Sequence, residues 1–463
     1  MKINSFTAEG VHDYLKFDIE FFPDLTFLIG INGSGKTSAL KLILGLTSPS
    51  YQYLNQVNYE YCEVICSSKK DEKDIVLRAE QNKADNTFTF SITRNGNKIS
   101  SEPIKRFSRG ENNQYDFEEL SQIEQRHKES FDELEITGNI RALATPKFLG
   151  LDRRIYEGVN ADFRFKNKRH QQFINPKYRN RRYDGFPEPQ AIDLSLEEVQ
   201  MFVFDFIRQI PQQQFQISDE FKEKLFKESF KFYEDYTVGG IPPTEEIIER
   251  KEKVLKAIED LGIKYINYSI NDFFSKIEKI AKDFEKIDKI EKEKNILSPE
   301  YREIISQWYL NGNQLKRIDD IITYSQEYQK KILELKAPLK KLEELTSNFL
   351  GEGKKVLRTE TDGELKIKLK NGNSANIYEL SSGEKQIIIM IAHLIFEEAQ
   401  KTSGIFIIDE PELSLHIAWQ EIFVQSIMQA SPNTQFILAT HSPSIIAKVN
   451  KEKHCQDLNK FNF

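Results

Sequence analysis

An apolar pentapeptide, Leu25-Thr26-Phe27-Leu28-Ile29, runs directly into Gly30-Ile31-Asn32-Gly33-Ser34-Gly35-Lys36-Thr37, and no other stretch restricts the possible folds so sharply. The spacing is GxxxxGK[ST], a loop whose chemistry requires a strand before it and a helix after it. Glycines let the backbone curl so that successive N–H groups point at phosphate oxygens. The helix predicted from Lys36 to Leu46 adds the positive end of its dipole. Lys36 is then placed to neutralise the β- and γ-phosphates, and the Thr37 hydroxyl to bind Mg²⁺, with Ser38 beside them. ATP and Mg²⁺ are the ligands this loop implies.

Three later segments carry chemistry that fits the same ligands. Ile405-Phe-Ile-Ile408 is an apolar strand that ends in Asp409-Glu410. Paired acids at the tip of a buried strand are costly unless a cation sits there. Asp409 fits a Mg²⁺ ligand acting through water, and Glu410 fits the group that orients or deprotonates the attacking water. A second apolar strand, Gln435 to Ala439, is followed by Thr440-His441-Ser442-Pro443. Leu380-Ser381-Ser382-Gly383-Glu384 precedes a long apolar helix. Its serines and glycine fit an anion-binding helix start. They fit an ordinary capping box equally well, since serine followed three residues later by glutamate is a common helix start.

Between these motifs the chain changes character. Residues 1–152 read as mixed strand and helix, with strands near 59–67, 74–80 and 87–93 and a hairpin turn at Asn95-Gly96-Asn97. Residues 153–345 are rich in Lys, Glu, Ile and Phe. Apolar residues there recur at steps of three and four, from Ile266 through Phe273 and Ile280 to Ile287, and from Ile318 through Tyr328 and Leu335 to Leu342. Ser298 as cap and Pro299 as first helical residue separate the two runs. A short antiparallel coiled coil with seams of about 30–40 Å is the simplest shape, and a packed helical bundle is the alternative. Pro338 is expected to kink the returning helix. Residues 346–463 return to strands and helices.

The order of phosphate loop, long insertion, serine corner, acid pair and histidine resembles the SMC/RecF/OLD branch of ABC-type ATPases. The resemblance covers about 1–152 and 346–450, and implies an α/β P-loop head split by a helical or coiled-coil insertion. It implies further roles. Ser381, Ser382 and Gly383 would be the signature, with Ser382 in place of the family's first glycine, contacting the γ-phosphate held by the opposite copy. Glu412-Leu413-Ser414-Leu415-His416 resembles the D-loop, although packing or capping suits His416 as well. His441 would be the switch histidine and act with Lys36 and Glu410. ATP would then bind between the heads of a homodimer, or of a higher oligomer. The motifs around Glu410 and His441 look most like the ATPase subunits of anti-phage systems of the Septu, retron and PARIS kinds. This implies a sensor that controls a separate effector, expected to be a nuclease; a DNA-repair or chromosome-maintenance ATPase is the competing reading.

Departures from the family pattern also set expectations. The Q-loop glutamine is replaced by Leu151-Asp152-Arg153-Arg154, which leaves Asp152 or Arg153 to couple nucleotide and insertion. The insertion lacks the cysteines of a zinc hook, and only twenty residues follow Pro443, so a second nuclease centre is not expected. Ten Lys and Arg between Arg153 and Arg182, interleaved with aromatics such as Phe163, Phe165 and Tyr178, would suit DNA or RNA backbone; an acidic partner would fit them too. Net charge is −7, no apolar run is long enough to span a bilayer, and the three cysteines suit a reducing compartment, so the expected location is cytoplasmic. Cys62 and Cys66 share one strand face and read as packing. No motif reads the base; Tyr14 and His12 in the early loop are the candidates.

Overall fold

The computed structural model describes residues 1–463 except 69–73, 108–116, 144–145, 151–154, 158–190, 231–239, 264, 295–297, 352–353, 400–403, 448, 450 and 462–463. The chain forms two compact units. One combines Met1–Val203 with Lys341–Phe463, and the other is Phe204–Lys340. The replaced Q-loop segment and almost all of the basic stretch between Arg153 and Arg182 lie outside the described residues.

The first unit is built on two large sheets. The antiparallel one has seven strands, in the order β2 (Leu15–Glu20), β1 (Lys2–Val11), β4 (Tyr61–Ser67), β5 (Ile75–Asn82), β6 (Thr87–Arg94) and β7 (Asn97–Ser100), with β8 (Ile104–Lys105) also on β6. Burial alternates along β2, β4 and β6, as expected of strands with one face on a core. The turn between β6 and β7 places Asn95 and Gly96 at φ 51° and 86°, the left-handed pair that a two-residue hairpin requires. Cys62 and Cys66 point into the core. Burial raises both thiols, Cys66 to about 12, as befits packing residues.

The second sheet runs β10 (Ile155–Glu157), β9 (Lys147–Leu149), β14 (Ile405–Asp409), β15 (Gln435–Ala439), β3 (Leu25–Ile29) and β16 (Cys455–Asp457). Every pairing is parallel except β9 with β10. All five residues of β14 and of β15 are buried, which is why Ile405–Ile408 and Phe436–Ala439 read as unbroken apolar runs. The helix Lys36–Thr47 is apolar on most sides because it shares one core with both sheets. Its Ala39, Leu40 and Ile43 are packed in one cluster with Phe6 and Phe17 of the antiparallel sheet and Ile407 and Ile437 of the parallel one.

A third sheet, β11 (Lys355–Thr359), β12 (Leu365–Leu369) and β13 (Ser374–Asn376), is antiparallel. It leads into the helix Ser382–Ala399. The start of the helix Ala191–Ser229 is tied to these elements within the same unit. Gln200 donates to Gly363 O at 2.6 Å and accepts from Leu365 N at 2.9 Å, and Asp193 pairs with Lys385 at 2.8 Å.

In the second unit the helices Thr244–Asp260, Asn267–Lys294, Pro299–Asn311 and the part of Asn313–Phe349 up to Lys340 contribute to one core. Phe274, Ile277 and Ile280 pack with Ile247, Val254 and Ile258, and with Leu315 and Ile322. Of the two shapes open on the sequence, this cluster has the make-up of a bundle: the seam residues meet more than one partner helix. Ser298 accepts from Tyr301 N and caps the helix that begins at Pro299. The last helix continues through Pro338.

Candidate functional site

Parallel pairing brings distant motifs to one edge. In register, Asp409 lies beside Ala439 and Ala439 beside Leu28, so β14, β15 and β3 end together. Glu410, Thr440 and Gly30 therefore leave the sheet side by side. Glu410 N donates to Ala439 O at 2.9 Å, and Thr440 N to Leu28 O at 3.2 Å.

The loop after β3 depends on glycine for steric reasons. A Cβ on Gly30 would lie 2.5 Å from Ser34 Oγ. Gly35 sits at φ 85°, and a Cβ there would lie 2.6 Å from Phe17 and 2.8 Å from Leu15. Lys36 is buried, and its ammonium donates to the carbonyls of Gly30 at 2.9 Å and Ile31 at 3.4 Å, inside the curl of the loop. The Ile31 amide donates to Asn459 Oδ1 at 3.2 Å, so a residue beyond β16 steadies the loop. No sequence signal marked Asn459, which lies 428 residues from its partner.

Thr37 Oγ1 donates to Asp409 Oδ2 at 3.0 Å. Asp409 is buried, and its other oxygen, Oδ1, has no hydrogen-bond partner. Burial raises this carboxyl to about 6. The Thr37 hydrogen bond opposes the rise, the Glu410 charge adds to it, and Lys36 and Lys41 oppose it. A hydroxyl and a carboxylate that share a contact, with a carboxylate oxygen left over, form an oxygen donor set that fits Mg²⁺.

Glu410 adopts φ 50° and ψ 57°, a left-handed conformation that costs a non-glycine residue about 1–2 kcal/mol. It turns the carboxylate toward His441, whose Nδ1 stands 2.5 Å from Glu410 Oε2 and 2.9 Å from Glu412 Oε1. A cleft of about 380 Å³ opens between Glu410 and the phosphate loop. Its lining includes Asn32, Gly33, Lys36, Thr37, Ser38 and Glu410 from the motifs, and His12 and Tyr14 from the early loop. Tyr14 is 71% exposed, and His12 Nε2 lies 2.8 Å from Ser38 Oγ.

Ser381 and Ser382 stand exposed at the start of their helix. The capping box forms there: Ser381 N and Oγ donate to Glu384 Oε2 at 2.9 and 2.8 Å, and Glu384 N donates to Ser381 Oγ at 3.4 Å. Burial works against the Glu384 charge, but Lys355 at 2.7 Å and the two Ser381 donors outweigh it and hold the carboxyl below its usual range. His416 caps the helix Ile417–Ala430, with Nδ1 accepting from Ala418 N at 3.4 Å. Among the described residues no helix is long and apolar enough to cross a membrane.

The chain is similar to the Retron Vc95 probable ATPase of Vibrio cholerae serotype O1 biovar El Tor, at 29% identity over 204 residues, 40% of this chain and 38% of that protein. It is also similar to the Retron Ec83 probable ATPase of Escherichia coli, at 29% identity over 153 residues, 27% of this chain and 28% of that protein. The matches thus span well under half the length of these relatives. Among solved structures, an Smc head domain with an extended coiled coil from Pyrococcus furiosus aligns over 96% of this chain and 91% of its own, with 16% identity and a TM-score of 0.40. The SMC head domain from Thermotoga maritima aligns over 96% and 92%, with 12% identity and a TM-score of 0.35. The AAA ATPase domain profile matches residues 1–446, nearly the whole chain, and the protein belongs to that family.

Proposed function

We propose that the chain binds ATP with Mg²⁺ and hydrolyses it at sites completed by a second copy, and that this cycle controls a separate effector in anti-phage defence. One observation carries the catalytic reading. The Thr37–Asp409 contact at 3.0 Å and the Glu410–His441 contact at 2.5 Å adjoin each other at the end of the parallel sheet. Thr37 and Asp409 would hold Mg²⁺, which supplies positive charge to the phosphate oxygens. The loop amides from Asn32 to Ser38 and the Lys36 ammonium bind the phosphates. Glu410 orients water and accepts its proton, and His441 steadies the Glu410 carboxylate. The exposed Ser381 and Ser382, with Gly383 beside them, reach the γ-phosphate of the other copy. The retron-associated relatives support the defence role.

Phosphate release per chain is expected to rise with chain concentration, because each site needs two copies. Ser381→Arg is expected to cut turnover by about tenfold or more while ATP binding persists. A rate per chain that stays flat with dilution and survives that substitution rejects the shared site. The effector is tested in cells: a nuclease is expected to co-purify and to become toxic only on phage challenge. Full protection by this chain without any neighbouring gene rejects the effector.

A further inference from the structure

Glu412 lies two residues beyond Glu410, with a side chain only 7% exposed. Its carboxylate gathers the whole segment that follows β15. Thr440 Oγ1 lies 2.8 Å from both of its oxygens. Oε1 also accepts from His441 N at 2.8 Å and Ser442 N at 3.2 Å, and stands 2.9 Å from His441 Nδ1. The far side of the segment is fixed as well: Ser442 Oγ donates to Gln420 Oε1 at 2.6 Å, and Gln420 Nε2 donates to Leu415 O at 3.0 Å.

The geometry points to Glu412 as the positioning residue that holds His441 against Glu410, by binding the backbone on either side of the histidine and taking a share of its Nδ1 hydrogen. This rests on the hydrolytic reading above. Both neighbours of Nδ1 are carboxylate oxygens, which only accept, so the hydrogen belongs on Nδ1. Nε2 is then directed away from both acids. Hydrogen bonds to an ionised acceptor are short and about twice as strong as neutral ones, and this carboxylate holds four groups of one turn at once. Without it, the His441 amide and the Thr440 hydroxyl lose their acceptor, the Ser442 amide keeps only Thr440 Oγ1 at 3.0 Å, and the imidazole loses one of its two Nδ1 acceptors. The same three side chains have ligand atoms within 4.8 Å of one another, as a metal site would. Glu412 Oε1 is already surrounded by four donors, however, so a cation there would have to displace the segment that Glu412 holds.

The test compares Glu412→Ala, Glu412→Gln and Glu412→Asp with the parent in ATP turnover and in equilibrium binding of a fluorescent ATP analogue. Glu412→Ala is expected to lower kcat about 100-fold with analogue affinity within threefold. Glu412→Gln, whose amide oxygen still accepts from the backbone amides, should retain more than the alanine variant does. A kcat within twofold of the parent in a folded Glu412→Ala protein overturns the assignment. Parallel loss of kcat and affinity in all three overturns it too, since that is what general collapse of the site produces. If Glu412→Ala does not fold, Glu412→Gln decides: a kcat split from affinity supports positioning, and no change refutes it. A parent that releases no phosphate removes the hydrolytic reading itself, whereas an active parent with an equally active Glu412→Ala removes only this inference.

Discussion

Glu410→Gln is expected to lower ATP turnover by about a thousandfold or more, while nucleotide affinity stays within a few-fold of the parent. The amide keeps the size of the side chain but cannot accept a proton from water, and a positioned general base typically contributes 10²–10⁴-fold. Binding survives because the phosphate-binding groups come from another segment: Lys36 is held by the Gly30 and Ile31 carbonyls, not by Glu410. If ATP closes two copies around it, the variant should collect as a dimer on ATP and fall apart only when ATP is removed. Phosphate-release kinetics together with size-exclusion light scattering check both parts. Unchanged turnover would mean that another group activates the water. Lost turnover without dimers would leave a hydrolytic site that does not need a second copy.

The second large effect concerns stability. Asp409 carries a carboxyl raised by burial to about 6, from an ordinary value of 3.8. The folded state therefore binds this proton more tightly than the unfolded chain does. The linked stability is fully present below pH ~4 and is lost as pH rises through about 6. About two units correspond to roughly 3 kcal/mol by order of magnitude, at 1.36 kcal/mol per unit. In chelator at pH 7.5, Asp409→Asn is thus expected to be more stable than the parent by about 1–3 kcal/mol, and the advantage should vanish near pH 4. Mg²⁺ should stabilise the parent and not the variant. The fluorescence of Trp419, which packs edge-on against Phe349 in the same unit, can follow unfolding in a Trp308→Phe background. A variant less stable than the parent at pH 7.5 would show that the Thr37 hydrogen bond outweighs burial.

Local residue chemistry was enough to set out the ends of the site. GxxxxGK[ST] needs a strand and a helix around it, and β3 and the Lys36 helix are there. β14 and β15 are each buried along their whole length, which favours apolar runs in all but their partnered end residues, Asp409 and Gln435. Alternation in β4 and β6 and the Asn95-Gly96 turn follow from the period of a strand and from left-handed backbone, both properties of neighbouring residues. The Ser381–Glu384 cap is legible for the same reason, since its partners are three residues apart.

What remained was decided by contacts that join residues far apart along the chain. Gln435 reads as the first residue of a strand. In the fold its side chain accepts from Ile3 N and donates to Ile3 O and Phe22 O, linking the parallel sheet to the antiparallel one. Asn459 steadies the phosphate loop through one hydrogen bond across 428 residues. Spacing of three and four residues marked the apolar stripes of the insertion helices, but a stripe does not say how many helices face it, and the core drew in Thr244–Asp260 and Pro299–Asn311 as well. Along the sequence Glu412 only opens a segment that resembles the D-loop; in the fold β14 and β15 end side by side and put the His441 and Ser442 amides over its carboxylate. Periodicity and turn chemistry are local and can be read from the sequence. The partner of a buried polar group is chosen by strand order and register, which exist only once the chain has folded.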